Sequence, residues 1–181
     1  MEIITAPGYR LRMSSHRRIG ALVVVALAAG PAPPARAGGR DAAEPLLWAT
    51  VNVCDTDAAP NTIGIRASMP GSPDGRGTMW MRFRVRYLSD ADGRWRDVVE
   101  GGDSGFVAAG SASHRSRQRG RSFRIDSGGG EPVVLRGSVT FEWRVRGDVV
   151  RRASLRTRRG FHSSAGADPP GYSAATCTII P

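Results

Sequence analysis

From Leu47 onward, apolar and polar residues alternate with a period of about two rather than 3.6, the signature of half-buried strands. Leu47, Ala49, Val51 and Val53 alternate with Trp48, Thr50, Asn52 and Cys54, which predicts a first strand with these two sets on opposite faces. Thr62–Met69 is a second run, ended by the turn-forming cluster "PGSPDGRG". The alternation is sharpest next. Met79, Met81, Phe83, Val85 and Tyr87 fall on one face and Arg82, Arg84 and Arg86 on the other, an antiparallel strand with a solvated basic face. Asp92-Gly93 marks a hairpin turn into Arg94–Val99. Glu100–Gly105 reads as a Gly-rich turn, followed by an apolar patch at Phe106–Ala109, the basic loop "SHRSRQRGR" and a strand through Phe123 and Ile125.

Residues 133–146 read as one long strand or a bent pair, with Gly137 as the bend or bulge and Val139, Phe141, Trp143 and Val145 inward. A turn at Arg146-Gly147-Asp148 would pair Val145 with Val149, Phe141 with Ala153 and Val139 with Leu155, leaving Arg151 opposite Trp143 as the one poor match. "GFHSSAGADPPGYS" is a long loop, and Ala174–Ile180 is the last strand. Short strands with Gly/Pro turns, and no helical period of three turns after the first 37 residues, predict an all-β fold. The expected architecture is an antiparallel two-sheet sandwich, immunoglobulin-like in architecture only, since the Cys spacing and the corner Tyr of true immunoglobulin domains are not met.

The first 37 residues change the picture from fold to address. Arg10, Arg12, Arg17 and Arg18 precede an apolar run, Ile19–Ala29, and Ala35-Arg36-Ala37 is a small-x-small cleavage site. That is the anatomy of a cleavable secretory signal peptide over residues 1–37, with Met13 as the alternative start. The apolar run is well short of the ~20 residues that span a bilayer, so no transmembrane span is expected after cleavage. A polar lead-in, 38–45, then precedes a single domain over 46–181, and the expected location is secreted or cell-envelope associated.

All 26 basic residues are Arg, and the formal net charge is +10; five Arg and Glu2 sit in the leader, so the remainder carries about +6. A GC-rich genome accounts for much of the Arg, yet the excess still favours anionic partners. Cys54 and Cys177 lie near the two ends of the domain. In an exported chain they predict one structural disulfide, the alternative being two separate buried thiols.

The motifs offer little chemistry. Gly102-Asp103-Ser104-Gly105 matches the surroundings of the chymotrypsin-type nucleophile, but the one His before Ser104 is His16, in the leader, and Phe106 and Val107 break the usual continuation. Asp55 and Asp57 resemble the start of a calcium loop, which Ala59, Pro60 and Arg66 then break. Arg146-Gly147-Asp148 is the integrin-type tripeptide and also a good tight turn. No metal and no cofactor is expected. Trp48, Trp80 and Trp95 are candidates for a sugar-stacking platform, against the commoner role of core or edge cover.

The candidate anion-binding residues are Arg82, Arg84 and Arg86 on the third strand; Arg115, Arg117 and Arg119 in the basic loop; and Arg151, Arg152, Arg156, Arg158 and Arg159 further on. On one face they would suit an anionic cell-wall polymer or lipid headgroups. No aromatic residues interleave the basic loop, so specific nucleic-acid recognition is not expected.

"LWATVNVCDT", "NTIGIRASMPG" and "DPPGYSAATCTI" resemble segments of uncharacterised small exported proteins of high-GC actinobacteria. The resemblance spans most of residues 46–181. It implies an exported all-β domain bracketed by the two Cys, and it implies no activity. The expectation is therefore a non-catalytic module associating with an anionic envelope component. The competing expectations are a secreted serine hydrolase using Ser104 and a structural protein that pairs through a strand edge.

Overall fold

Every alternating segment becomes a strand in the computed structural model, which describes residues 45–126 and 130–181. The expected leader lies outside the described residues. The strands are β1 (Trp48–Thr56), β2 (Ala59–Pro70), β3 (Thr78–Leu88), β4 (Trp95–Asp97), β5 (Asp103–Ser111), β6 (Ser116–Arg124), β7 (Val133–Val145), β8 (Asp148–Arg156) and β9 (Cys177–Ile179). No helix is present among the described residues. A three-stranded sheet, β1-β2-β6, packs against a six-stranded sheet built on the antiparallel pair β3-β7.

The core is what the period-two reading selects. Met79, Met81, Phe83 and Val85 of β3, Leu135, Val139, Phe141 and Trp143 of β7, and Ile63, Ile65, Ala67 and Met69 of β2 are all buried. Truncating a large member such as Phe83 or Phe141 to Ala would cost about 3–5 kcal/mol.

Strand β3 gives one edge to β7 and divides the other, bonding β5 over 78–84 and β4 over 86–88. Strand β7 does the same, bonding β8 over 138–145 and β9 over 133–135. Each central strand thus changes partner midway along its outer edge.

Several local expectations are corrected. Cys54 lies on the core side of β1, not on the outer side with Thr50. Asn52 and Val53 together oppose Gly64, and this bulge reverses the alternation, so Cys54 opposes the core residue Ile63. Gly64 accommodates the bulge, since a Cβ there would lie 2.8 Å from the Val53 Cβ. Cys54 is disulfide-bonded to Cys177, with Cα atoms 5.4 Å apart, and so joins the two sheets.

Gly137 is no bulge, because β7 runs straight through it. A Cβ at this position would come within 2.6 Å of Thr157 Cγ2 and 2.8 Å of Ile65 Cδ1, so close approach of the other sheet is what requires glycine. The β7–β8 turn has two residues, Arg146 and Gly147, both at positive φ. Val145 therefore opposes Asp148 and not Val149, and a shift at Trp143/Arg144 restores the predicted Phe141–Ala153 and Val139–Leu155 pairs. Arg151 does oppose Trp143, and its guanidinium lies 4.4 Å above the indole, which turns the apparent mismatch into a cation–π contact.

The long loop after β8 covers the outer side of β1. Trp48 stacks on Phe161 at 5.1 Å, Thr50 shares a 2.7 Å hydrogen bond with Ser173, and Asn52 donates to the Gly166 carbonyl at 2.7 Å. Both faces of β1 are buried for this reason, and Trp48 is not a surface platform.

Candidate functional site

The outer face of the six-stranded sheet carries most of the predicted Arg stripe. Side chains at alternate positions of β3 and β7 point there, in the cross-strand rows Trp80–Glu142, Arg82–Thr140, Arg84–Ser138 and Arg86–Arg136. Acids from neighbouring strands answer much of this charge. Arg82 grips Asp103 through Nε and Nη2, with Nε 2.8 Å from Oδ1. Arg84 Nε lies 3.3 Å from Asp103 Oδ2, and Arg86 Nε lies 2.8 Å from Asp97 Oδ1, both near enough for ion pairing though not aligned for hydrogen bonds. Arg86 also donates to the Trp95 carbonyl at 2.7 Å.

Among the described residues Glu142 is the most enclosed acid, 1 % exposed. Arg144 forks onto its Oε2 at 2.8 and 2.6 Å, and Arg152 onto Oε1 at 2.9 and 2.6 Å. Burial works to raise the Glu142 pKa, but the hydrogen bonds from the two guanidiniums outweigh it and hold the carboxyl below its ordinary value. The Asp103 carboxyl is likewise held low, chiefly by its hydrogen bond from Arg82. Arg144 also stacks over Trp80 at 4.7 Å and Phe106 at 4.9 Å.

The opposite corner of the face has a different chemistry. Beyond Arg156, the chain leaves the sheet at Thr157, which exchanges 3.0 Å hydrogen bonds with Gly137 and donates to the Ala175 carbonyl at 2.6 Å. Arg158 N then bonds to the Ala49 carbonyl of the other sheet. This departure opens a cleft of about 470 Å³ between the end of β8 and the start of β9. Arg136, Arg156 and Arg158 line it, together with Trp95, Ser154 and Thr176. The Arg136 guanidinium lies 4.0 Å above the Trp95 ring, while its Nε is shielded and has no hydrogen-bond partner. Burial, then the charges of Arg156 and Arg86, push the Arg136 pKa below the usual arginine value. Among the described residues, no carboxylate pairs with Arg136, Arg156 or Arg158.

The structure therefore redistributes the sequence candidates. Arg82, Arg84, Arg86 and Arg152 face carboxylates of their own chain, and Arg151 covers Trp143. Arg156 and Arg158 enter the cleft, and Arg159 is exposed beside it. Arg115, Arg117 and Arg119 lie elsewhere, at the side where β6 approaches β5. There Arg117 donates to His114 Nε2 at 2.7 Å and Arg119 to the Ala108 carbonyl at 3.2 Å. Arg136 was missed by the sequence reading, because it belongs to no basic run, with Arg144 the other arginine of β7, and meets the other two only through the fold. Trp80 and Trp95 do lie on the outer face, each under a guanidinium.

The catalytic and metal motifs resolve into backbone devices. Ser104 and Gly105 form a bulge in β5, not a turn between strands, with Gly105 at a φ of 62°. Ser104 Oγ accepts from Phe83 N at 2.9 Å and donates to the Gly105 carbonyl at 2.7 Å. His162 Nδ1 donates to the Gly171 carbonyl, so neither His of the domain hydrogen-bonds Ser104. Asp55 accepts from Asn61 N and Ile180 N, closing the β1–β2 hairpin against the last residues of the chain. Among the described residues, no three His, Cys, Asp or Glu side chains converge as metal ligands.

Comparison of the chain with protein-family models, curated proteins and solved structures finds no match.

Proposed function

We propose that the protein is an exported, non-catalytic β-sandwich module, immunoglobulin-like in architecture, that holds an anionic cell-envelope component in the Arg136–Arg156–Arg158 cleft. The observation that carries this reading is the convergence of three arginines on one cleft where, among the described residues, no carboxylate pairs with them. Gathering like charges costs free energy in the folded protein, and an external anion recovers that cost. Guanidinium forks match phosphate, sulfate and carboxylate oxygens, and the indole and two hydroxyls flank the place a sugar or polyol unit would occupy. The Cys54–Cys177 bridge suits an oxidising compartment outside the cytoplasm.

The test is co-sedimentation of the mature protein with purified cell-envelope polymer at rising salt. Binding through about three ionic contacts should weaken roughly tenfold or more between about 50 and about 200 mM salt. Binding that ignores salt over this range would refute the ionic mechanism, and absence of binding at low salt would refute the reading itself.

A further inference from the structure

We infer that a second oxyanion-binding site lies on the opposite face of the sandwich, around Arg66, and that it takes a phosphate or sulfate group. It stands on different residues from the Arg136 cleft and survives if that cleft binds nothing.

The outward positions of β2 are Thr62, Gly64, Arg66 and Ser68, since Ile63, Ile65, Ala67 and Met69 face the core. Arg66 is the one charged side chain in this row. Its cross-strand neighbours are Thr50 on β1 and Gly120 on β6. A Cβ at Gly120 would lie 3.1 Å from Arg66 Nη1, so the guanidinium rests over a strand position without a side chain. On its other side stands the loop that covers β1, where a Cβ on Gly166 would lie 3.7 Å from Arg66 Nη2. The group thus sits between β6 and the loop, in a cleft of about 430 Å³ that Asn52, Ser122 and Gly166 help to line.

The cleft is held in shape without a ligand. Gln118 brackets the loop, donating to the Ser163 carbonyl at 3.2 Å and accepting from Ala165 N at 3.1 Å. Asn52 holds Gly166 from the β1 side. Yet Arg66 Nε is shielded and unpartnered, and no carboxylate among the described residues pairs with this guanidinium. Burial and the charge of Arg119 both work against its positive charge. A permanently charged group, preorganised in a polar cleft and lacking a counter-ion, is complementary to an anion from outside. With sites on both outer faces, one molecule can bridge two anionic strands.

The experiment is amide NMR of the mature protein titrated with inorganic phosphate, and separately with long-chain polyphosphate. The Gly120 and Gly166 amides report on the Arg66 site, and those of Ser154 and Thr176 on the other cleft. Phosphate should move Gly120 and Gly166 along a saturating curve, and Arg66→Gln should weaken that response by about tenfold or more while leaving Ser154 and Thr176 unchanged. If Arg66→Gln does not fold, Gly166→Asp gives an independent check. It places a carboxylate at the guanidinium, at a positive-φ position that Asp tolerates, and should abolish the response. A response to the free ion alone, or to the polymer at lower phosphate-group concentration, upholds the site and assigns the source of the anion. Gly120 and Gly166 amides that stay still in both titrations, or a Gly120 amide that responds equally in the variants, would overturn it.

Discussion

The two places where a central strand changes partner use one backbone device and opposite chemistry. Strand β3 passes from β5 to β4 around Arg84 and Val85, with Asp103 on one side and Asp97 on the other. Three guanidiniums meet these two carboxylates, and most of the charge in the gap is neutralised internally. Strand β7 passes from β8 to β9 around Arg136 and Gly137, and there Arg136, Arg156 and Arg158 gather with no acid among the described residues paired to them. Where the chain supplies its own counter-charge, arginine holds neighbouring strands together. Where it does not, the guanidiniums have no ion-pair partner of the chain's own, and the proposed function assigns that charge to a ligand.

Removing the disulfide should break this contrast most severely. Strand β9 has three residues, and its link to β1 across the sandwich is Cys54–Cys177. Replacing both Cys with Ser should cost about 5 kcal/mol in the chain-entropy treatment of a loop this long. Denaturant unfolding would read the loss, and anion binding at the neighbouring cleft should fall with it. Glu142→Gln comes next. It leaves Arg144 and Arg152 without their buried partner and should cost about 2–3 kcal/mol, below the figure for fully buried pairs because the Arg152 side chain is 62 % exposed. The urea midpoint measures this, and binding at the β7 gap should be unchanged.

Acid should act on the neutralised groups alone. The Glu142 and Asp103 carboxyls titrate below their ordinary values in the folded state. Their stabilisation is therefore complete above the unfolded pKa of about 4 and is lost as pH falls through the depressed folded values. Stability followed by urea unfolding should hold from neutral pH to about 5, then drop, and drop less in Glu142→Gln. The smallest change in stability, and the most informative for the contrast, belongs to Asp103→Asn. It should cost no more than about 1 kcal/mol, since the pair is partly exposed. By freeing Arg82 and Arg84, it should also raise affinity for polyanions, turning the filled gap into a second open one.

Much of this architecture is legible in the residues. Met79 to Tyr87 alternate against Arg82, Arg84 and Arg86, and that pattern alone predicts a half-buried antiparallel strand with one basic face; its place at the centre of the sheet is known only from the pairing. Register in the β7–β8 hairpin follows from keeping Phe141 opposite Ala153 and Val139 opposite Leu155. The bulge at Asn52 is not legible, because Leu47–Cys54 alternates without a break; the one mark of it is Gly64 on the partner strand. Nor does composition show that the loop after β8 folds over β1, which is why Trp48, Thr50 and Asn52 are buried.

The candidate site was half visible. Arg156 and Arg158 belong to an obvious basic run, whereas Arg136 and Arg66 are isolated arginines outside any such run. Their importance depends on which acids are absent nearby, and that is a property of three-dimensional placement.

The central claim is that unanswered arginines bind anions and answered ones do not. Its most direct measurement compares polyanion affinity at the Arg136 cleft, read at the Ser154 and Thr176 amides at one fixed low salt, for the mature protein, the Arg136→Gln/Arg156→Gln/Arg158→Gln variant and the Arg82→Gln/Arg84→Gln variant. The first variant should lose most of the binding, about tenfold or more, while the second keeps it within about twofold. Equal losses in the two variants, or undiminished binding by the first, would contradict the claim.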